Sequence, residues 1–240
     1  METKWAKVFV IDDYPSVAGY LRFLIDRQKD FQVCGDAPNA RQALEMLPSC
    51  NPDLILLDLI LPDRHGLEVI KDIRVVDPNV RILVFSVHDE VVFAARAIEA
   101  GSQGYVMKSE TCDTWFEAMR QVMAGYIYLS PAMRMRVTQQ WANNKRHSDV
   151  CGINQLSDRE IEVLQLLGEG RSVSQICAML SLGRHTIQTY ESRIKDKLGL
   201  TSAQELTRYA VLWAVDEGSH YGEGIRSDSM ASTSVATHPV

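Results

Sequence analysis

The sequence predicts an α/β protein: a doubly wound five-stranded parallel sheet, followed by a small all-α helix-turn-helix unit. Three observations carry this expectation. Short apolar runs alternate five times with amphipathic stretches through residue 125, the signature of a parallel sheet covered by helices on both faces. From Leu156 onward the period is helical only, in short pieces broken by glycine. Finally, four of the apolar runs end in residues able to do chemistry. Asp12 and Asp13 follow Lys7–Ile11, Asp58 follows Leu54–Leu57, Ser86 follows Ile82–Phe85 and Lys108 follows Gly104–Met107.

Taken in order, strands are expected over 7–11, 31–35, 53–57, 80–85 and 104–107, and helices over 15–28, 39–48, 66–75, 90–100 and 111–124. Leu54–Leu57 is apolar at every position, as in a strand buried on both faces. Pro15 suits the first turn of the first helix. Gly101 suits the C-terminal stop of the fourth. Ser130-Pro131 opens a linker helix reaching about Trp141, with Met133, Val137 and Trp141 on one face. Asn143–Asp149 is polar and without period, so it reads as a linker. Ser157-Asp158-Arg159-Glu160 is a capping box that opens a helix ended by Gly168 and Gly170. Further helices follow over 172–180, 184–198 and 202–216, with Gly183 and Gly199 between them. The division expected is 5–125 for the α/β domain, 126–152 for a linker with a helix, 153–216 for the helix-turn-helix domain, and 217–240 for a disordered Ser/Thr/Ala-rich tail.

The chain of 240 residues carries a net charge of −6, unevenly spread. Residues 1–125 hold 13 Lys and Arg against 19 Asp and Glu, whereas residues 126–216 hold 11 against 9. The balance hints at an anionic partner for the second unit alone. No apolar run nears the roughly 18 residues that span a bilayer, and the N-terminus lacks a signal-peptide pattern, so no membrane association is expected. Five scattered cysteines without a CxxC pair argue against a disulfide framework or zinc site and for the cytoplasm.

Parallel strands bring their C-terminal tips to one edge, where chemistry collects in such sheets. A lone Asp after an apolar run is more often a cap than a catalyst. Three carboxylates, a hydroxyl and an ammonium on successive strands are another matter. Asp12, Asp13 and Asp58 repel one another unless a proton or cation joins them, and a hard divalent ion such as Mg2+ fits a site of few carboxylates. One carboxylate could then accept a phosphoryl group as an acyl phosphate, with Lys108 and Ser86 meeting its oxygens.

Asp12-Asp13, Leu57-Asp58 with Leu61-Pro62, Ser86 and Lys108 resemble the receiver domain of two-component response regulators, a flavodoxin-like fold, over nearly all of residues 5–125. The resemblance implies that Asp58 accepts a phosphoryl group from a sensor histidine kinase. It implies Mg2+ held by Asp12 (through a water), Asp13, Asp58 and the backbone carbonyl of Ile60. It makes Ser86 and Tyr105 the switch pair. On phosphorylation Ser86 turns toward the phosphate and Tyr105 moves inward, repacking the face of the fourth helix, last strand and fifth helix. Ile60, two residues past the acceptor, cannot position a water, so slow self-dephosphorylation is expected, over minutes to hours. His88 is a competing group that could position water instead.

In the second unit, Ile187, Ile194 and Leu198 share an inward face of the 184–198 helix, opposite Gln188, Ser192 and Lys195 and flanked by Arg184, His185, Thr189 and Arg193. That set suits double-stranded DNA, with Gln read against adenine and Arg or Lys against phosphate or guanine. Leu156–Leu164, Thr186–Tyr190 and Lys197–Leu200 resemble the LuxR-type DNA-binding domain, so that the whole resembles a NarL/FixJ-family response regulator. The family usually has a basic residue where Gln188 stands and a histidine where Tyr190 stands. The resemblance implies a non-enzymatic transcription factor, dimeric when phosphorylated. In the free state the receiver would cover the recognition helix. The stripe Leu206, Ala210, Trp213 and Ala214 either dimerises or packs within its own domain. Two alternatives stay open. One is a protein-interaction module with weak or lost DNA binding. The other is an aspartate-nucleophile phosphohydrolase, which needs a carboxylate where Ile60 stands.

Overall fold

The computed structural model describes residues 5–142 and 152–219. The Asn143–Asp149 linker and residues 220–240 lie outside these. The first unit alternates β1 (Ala6–Ile11), α1 (Pro15–Ile25), β2 (Phe31–Ala37), α2 (Ala40–Cys50), β3 (Leu54–Leu57), α3 (Gly66–Val76), β4 (Arg81–Ser86), α4 (Glu90–Ala100), β5 (Gly104–Met107) and α5 (Cys112–Met123). All strand pairs are parallel, in the order β2-β1-β3-β4-β5. The order reverses between β1 and β3, so the crevice at their C-terminal ends is the topological switch point where ligands bind in such sheets.

The central strands are buried on both faces, which is why they read as unbroken apolar runs: Leu54–Leu57 are each at most 2% exposed. Caps set the helix starts. Asn39, Asp89 and Thr111 accept main-chain N–H groups of α2, α4 and α5, and Pro15 is the first residue of α1. Gly66 has a steric reason. A Cβ there would lie 2.6 Å from the Asp58 carbonyl and 2.7 Å from Leu59 Cα, so only glycine lets α3 start against the loop that follows β3.

The chain does not leave the sheet at residue 125. Tyr128 bridges beside Gly104 in parallel, its carbonyl accepting the Tyr105 N–H at 3.1 Å. Ser130 then caps α6 (Pro131–Ala142) and hydrogen-bonds to the Glu90 carboxylate of α4, so the linker helix is anchored to the fourth helix. Met133 of α6 is buried and Val137 half-buried.

A 3-10 turn (Gly152–Gln155) precedes α7 (Asp158–Gly168), α8 (Val173–Leu180), α9 (Arg184–Leu198) and α10 (Ala203–Ser219). The capping box at Ser157 and Glu160 is formed, and a second joins Ser172 and Gln175. The buried Glu160 carboxylate also takes Lys197 Nζ at 2.6 Å, tying α7 to α9. Gly168 lets α10 approach, since a Cβ there would meet the Ala210 carbonyl at 2.5 Å. Leu206 and Ala210 are buried in this contact, so the stripe they begin packs within its own domain. α10 also continues three residues past the expected end at 216, through Gly218.

Candidate functional site

Asp12, Asp13, Asp58, Ser86 and Lys108 converge at the C-terminal edge of β1, β3, β4 and β5. One carboxylate oxygen from each of the three aspartates lies within 4.8 Å of the others. Lys108 Nζ donates to Asp12 Oδ2 and to Asp58 Oδ2, both at 2.6 Å. The other Asp58 oxygen accepts the Leu59 N–H at 2.6 Å and the Ser86 hydroxyl at 3.1 Å. Asp12 Oδ1 accepts the Tyr14 N–H at 2.9 Å, whereas Asp13 Oδ1 is buried with no partner among the described residues.

The charges strain against burial. Burial pushes the Asp12 carboxyl above the usual carboxylate range, although hydrogen bonding and attraction to Lys108 pull the other way. Burial also raises Asp13, reinforced by the negative charges of Asp58 and Asp12. Burial pushes Lys108 down, but attraction to Asp58 and hydrogen bonds to Asp12 and Asp58 outweigh it, so the ammonium ends above its ordinary value. Three carboxylates face one cation here. The orphaned Asp13 oxygen and that unbalanced charge are what an oxygen-seeking divalent ion satisfies, so the donor set fits Mg2+. Ile60, expected to add its carbonyl, is half-buried and bridges His65.

The switch pair lies beside the acceptor and behind it. Ser86 points at Asp58, and Tyr105 is inward, fully buried, with its hydroxyl on the His88 carbonyl at 2.8 Å. The β4–α4 loop thus offers the tyrosine a carbonyl to bond. The His88 ring faces the helical domain. Its buried ring is taken up by Gln165 of α7 rather than by the carboxylates.

On α9, Ile187 and Ile194 are fully buried and Leu198 half-buried, leaving Arg184, His185, Gln188, Ser192 and Arg193 exposed, with Thr189 and Lys195 at the margins. The Thr189 hydroxyl is spent on the His185 carbonyl at 2.9 Å. Tyr190 is half-buried against the apolar core. Gly183 starts α9 with no side-chain cap, so its first N–H groups remain available to an anion. The receiver meets α7 and the turn before it.

That meeting is what pattern reading missed. Arg96 of α4 donates to Asp158 Oδ1 at 3.0 Å and to the Leu156 carbonyl at 2.8 Å, and Arg159 pairs with Glu68 at 3.0 Å. An arginine amid the alanines of α4 was the only sequence signal for it.

Comparison with known proteins matches the model "Response regulator receiver domain" over residues 8–120 and "Bacterial regulatory proteins, luxR family" over 154–210. The chain is 32% identical over 206 residues to the response regulator GacA of Pseudomonas aeruginosa, covering 85% of this chain and 95% of that one. It is 31% identical over 212 residues to the nitrate/nitrite response regulator protein NarL of Escherichia coli K12, covering 88% and 96%. Among solved structures, a LuxR-family two-component response regulator from Aurantimonas sp. SI85-9A1 is 32% identical with a TM-score of 0.54, over 58% of this chain and 99% of that one. RcsB of Salmonella enterica serovar Typhimurium, solved on promoter rprA with phosphomimetic BeF3−, shares the fold at 22% identity, TM-score 0.64, over 87% and 99%. No described helix is long and apolar enough to cross a membrane.

Proposed function

Because this chain belongs to the NarL/FixJ family of response regulators, with a receiver and a LuxR-type DNA-binding domain, we propose that it is a cytoplasmic transcription factor controlled by phosphorylation of Asp58. The observation that carries this reading is the Asp58 carboxylate, with Lys108 on one oxygen and Ser86 on the other beside the unsatisfied Asp13. The donor is a phosphohistidine of a sensor kinase. An Asp58 oxygen attacks phosphorus as the bond to the histidine nitrogen breaks, leaving an acyl phosphate on this chain and a neutral imidazole on the kinase. Asp12, Asp13, Asp58 and the Ile60 carbonyl would hold Mg2+, which neutralises phosphoryl charge when bound. Lys108 takes a second phosphoryl oxygen and Ser86 donates to a third, with Tyr105 kept inward behind it. The reading is non-enzymatic, since Ile60 supplies no acid where a phosphohydrolase needs one.

The output is double-stranded DNA. Gln188 and Ser192 would face base edges from α9, with Arg184, His185, Thr189, Arg193 and Lys195 toward the backbone. A homodimer on paired half-sites is the assembly this module uses. The exposed face of α9 favours DNA binding over the protein-interaction alternative. The functional division follows: 5–125 receives, 126–152 links, and 153–216 binds. The deciding experiment titrates a pool of promoter fragments with the protein, with and without acetyl phosphate and Mg2+, and repeats it with Asp58→Ala. Tighter binding that needs both the donor and Asp58 is expected. Binding indifferent to both would demote the acidic site.

A further inference from the structure

The segment between the acceptor and α3, Leu59-Ile60-Leu61-Pro62-Asp63-Arg64-His65, is closed at its base by main-chain contacts. The Gly66 N–H donates to the Leu59 carbonyl at 2.6 Å, and Ile60 bridges His65 in antiparallel sense. Leu61 is buried, but Pro62, Asp63 and Arg64 at the tip are exposed. Side chains hold that tip. Asp63 Oδ1 accepts the Ala40 N–H and Asp63 Oδ2 the Arg41 N–H, both at 3.0 Å. Arg64 pairs with Asp72 of α3.

The Asp63 contact is unlike an ordinary cap. A helix begins with main-chain N–H groups that no carbonyl within it can take, and its N-terminus favours a negative charge. In α2 the third of these groups, on Gln42, goes to the side chain of Asn39, the residue just before the helix, at 2.9 Å. The first two, on Ala40 and Arg41, go instead to a carboxylate in another loop. Both caps stabilise α2. Of the two, only Asp63 also holds the loop that carries Asp58 and Ile60. Its two charge-assisted bonds outweigh the Arg64–Asp72 pair, whose side chains are 44% and 39% exposed and therefore well screened.

We infer that Asp63 is a positioning residue for the Mg2+ site: by fixing the loop tip against α2, it holds the Ile60 carbonyl in place before the ion arrives. This rests on the acidic edge taking Mg2+ with that carbonyl among its ligands. Both Asp63 oxygens are occupied by α2, so Asp63 acts on the site through the loop and not as a ligand. A loop with a free tip has to be ordered as the ion binds, and the affinity falls by the free energy of that ordering. The linkage is reciprocal, so bound Mg2+ tightens the hold of Asp63 on Ala40 and Arg41.

The test measures the Mg2+ affinity of the full-length chain by titration calorimetry, with Mg2+ alone as the probe. Asp63→Ala is expected to weaken binding roughly threefold to tenfold, and Asp63→Asn, which keeps one acceptor oxygen, to recover part of that loss. Asn39→Ala separates positioning from plain stability. It removes a cap from the same helix end and should lower the melting temperature as Asp63→Ala does, yet change Mg2+ affinity by less than about twofold. A second measurement needs no variant: Mg2+ should slow amide exchange at Ala40 and Arg41 more than at Gln42. Three results would each overturn the positioning role while leaving the metal site intact. They are equal affinities for the parent and Asp63→Ala, equal losses of affinity in Asp63→Ala and Asn39→Ala, and exchange at Ala40 and Arg41 that ignores Mg2+. No Mg2+ binding by the parent protein overturns the metal reading and the inference together.

Discussion

Replacing Asp13 with asparagine should make the metal-free receiver more stable and the Mg2+-loaded receiver less so. In the free protein the Asp13 carboxylate faces two negative charges, Asp12 and Asp58, and one positive charge, Lys108. Two repulsions against one attraction leave one net repulsion between oxygens within 4.8 Å. Asp13 is partly exposed, so water screening applies, and the net term is about 1 kcal/mol in favour of the variant. The pH dependence follows from the direction of the shift. Because burial, Asp58 and Asp12 raise the folded-state pKa of Asp13, its contribution is fully present below the ordinary carboxylate value of 3.8 and is lost as pH rises through the raised value. Asp13→Asn removes that fall. With Mg2+ the order reverses, because a ligand at a hundred times its Kd adds about 2.7 kcal/mol. A tenfold loss of affinity in the variant forfeits about 1.4 kcal/mol of it. Amide exchange of β1 and β3 reads the opening free energy of the receiver apart from the helical domain. A variant less stable than the parent in chelator, or one gaining equally from Mg2+, would refute the charge argument.

Further outcomes are expected. Gly66→Ala should destabilise the receiver by about 1–3 kcal/mol, since its Cβ meets backbone on both sides, and should slow phosphorylation by acetyl phosphate. Gly19→Ala, a helical position with open space, should instead raise stability by about 0.5–1 kcal/mol, and thermal melts of the two should move in opposite directions. Ile60→Asn should shorten the lifetime of the phosphorylated protein from hours or minutes toward seconds, followed by phosphate release; an unchanged lifetime means that side chain does not govern water. Gln188→Ala should relax base preference at one position of the site by about 1–3 kcal/mol, while Arg184→Ala should weaken all sequences alike and flatten the salt slope by about one, both readable in gel-shift titrations at several salt concentrations.

The sheet and the acidic edge were legible because both follow from local pattern. Strands buried on two faces must be apolar throughout, so Leu54–Leu57 announced itself, and parallel strands must end together, so Asp12, Asp58, Ser86 and Lys108 had to meet. Ends were less clear. α1 stops at Ile25 because Asp26 turns its side chain to the Val33 N–H at 2.9 Å, a contact with no trace in the pattern of residues 26–28. Tyr128 looked like linker because one bridge beside Gly104 has no period to detect. The contact between the domains was illegible for the same reason: Arg96–Asp158, Arg159–Glu68 and His88–Gln165 each join residues more than sixty positions apart through single side chains.

Those single contacts also explain how one surface can dock a DNA-binding domain without disabling it. A helix-turn-helix needs the outer face of α9 free, and α7 lies behind α9, joined to it by Glu160 and Lys197. By meeting α7, the receiver leaves the outer face of α9 exposed. The ion pairs that hold it are partly exposed, Arg159 to Glu68 among them, so each is worth little alone and all are weakened by salt. An interface of that kind is strong enough to set an orientation and weak enough to be shifted by one buried hydrogen bond.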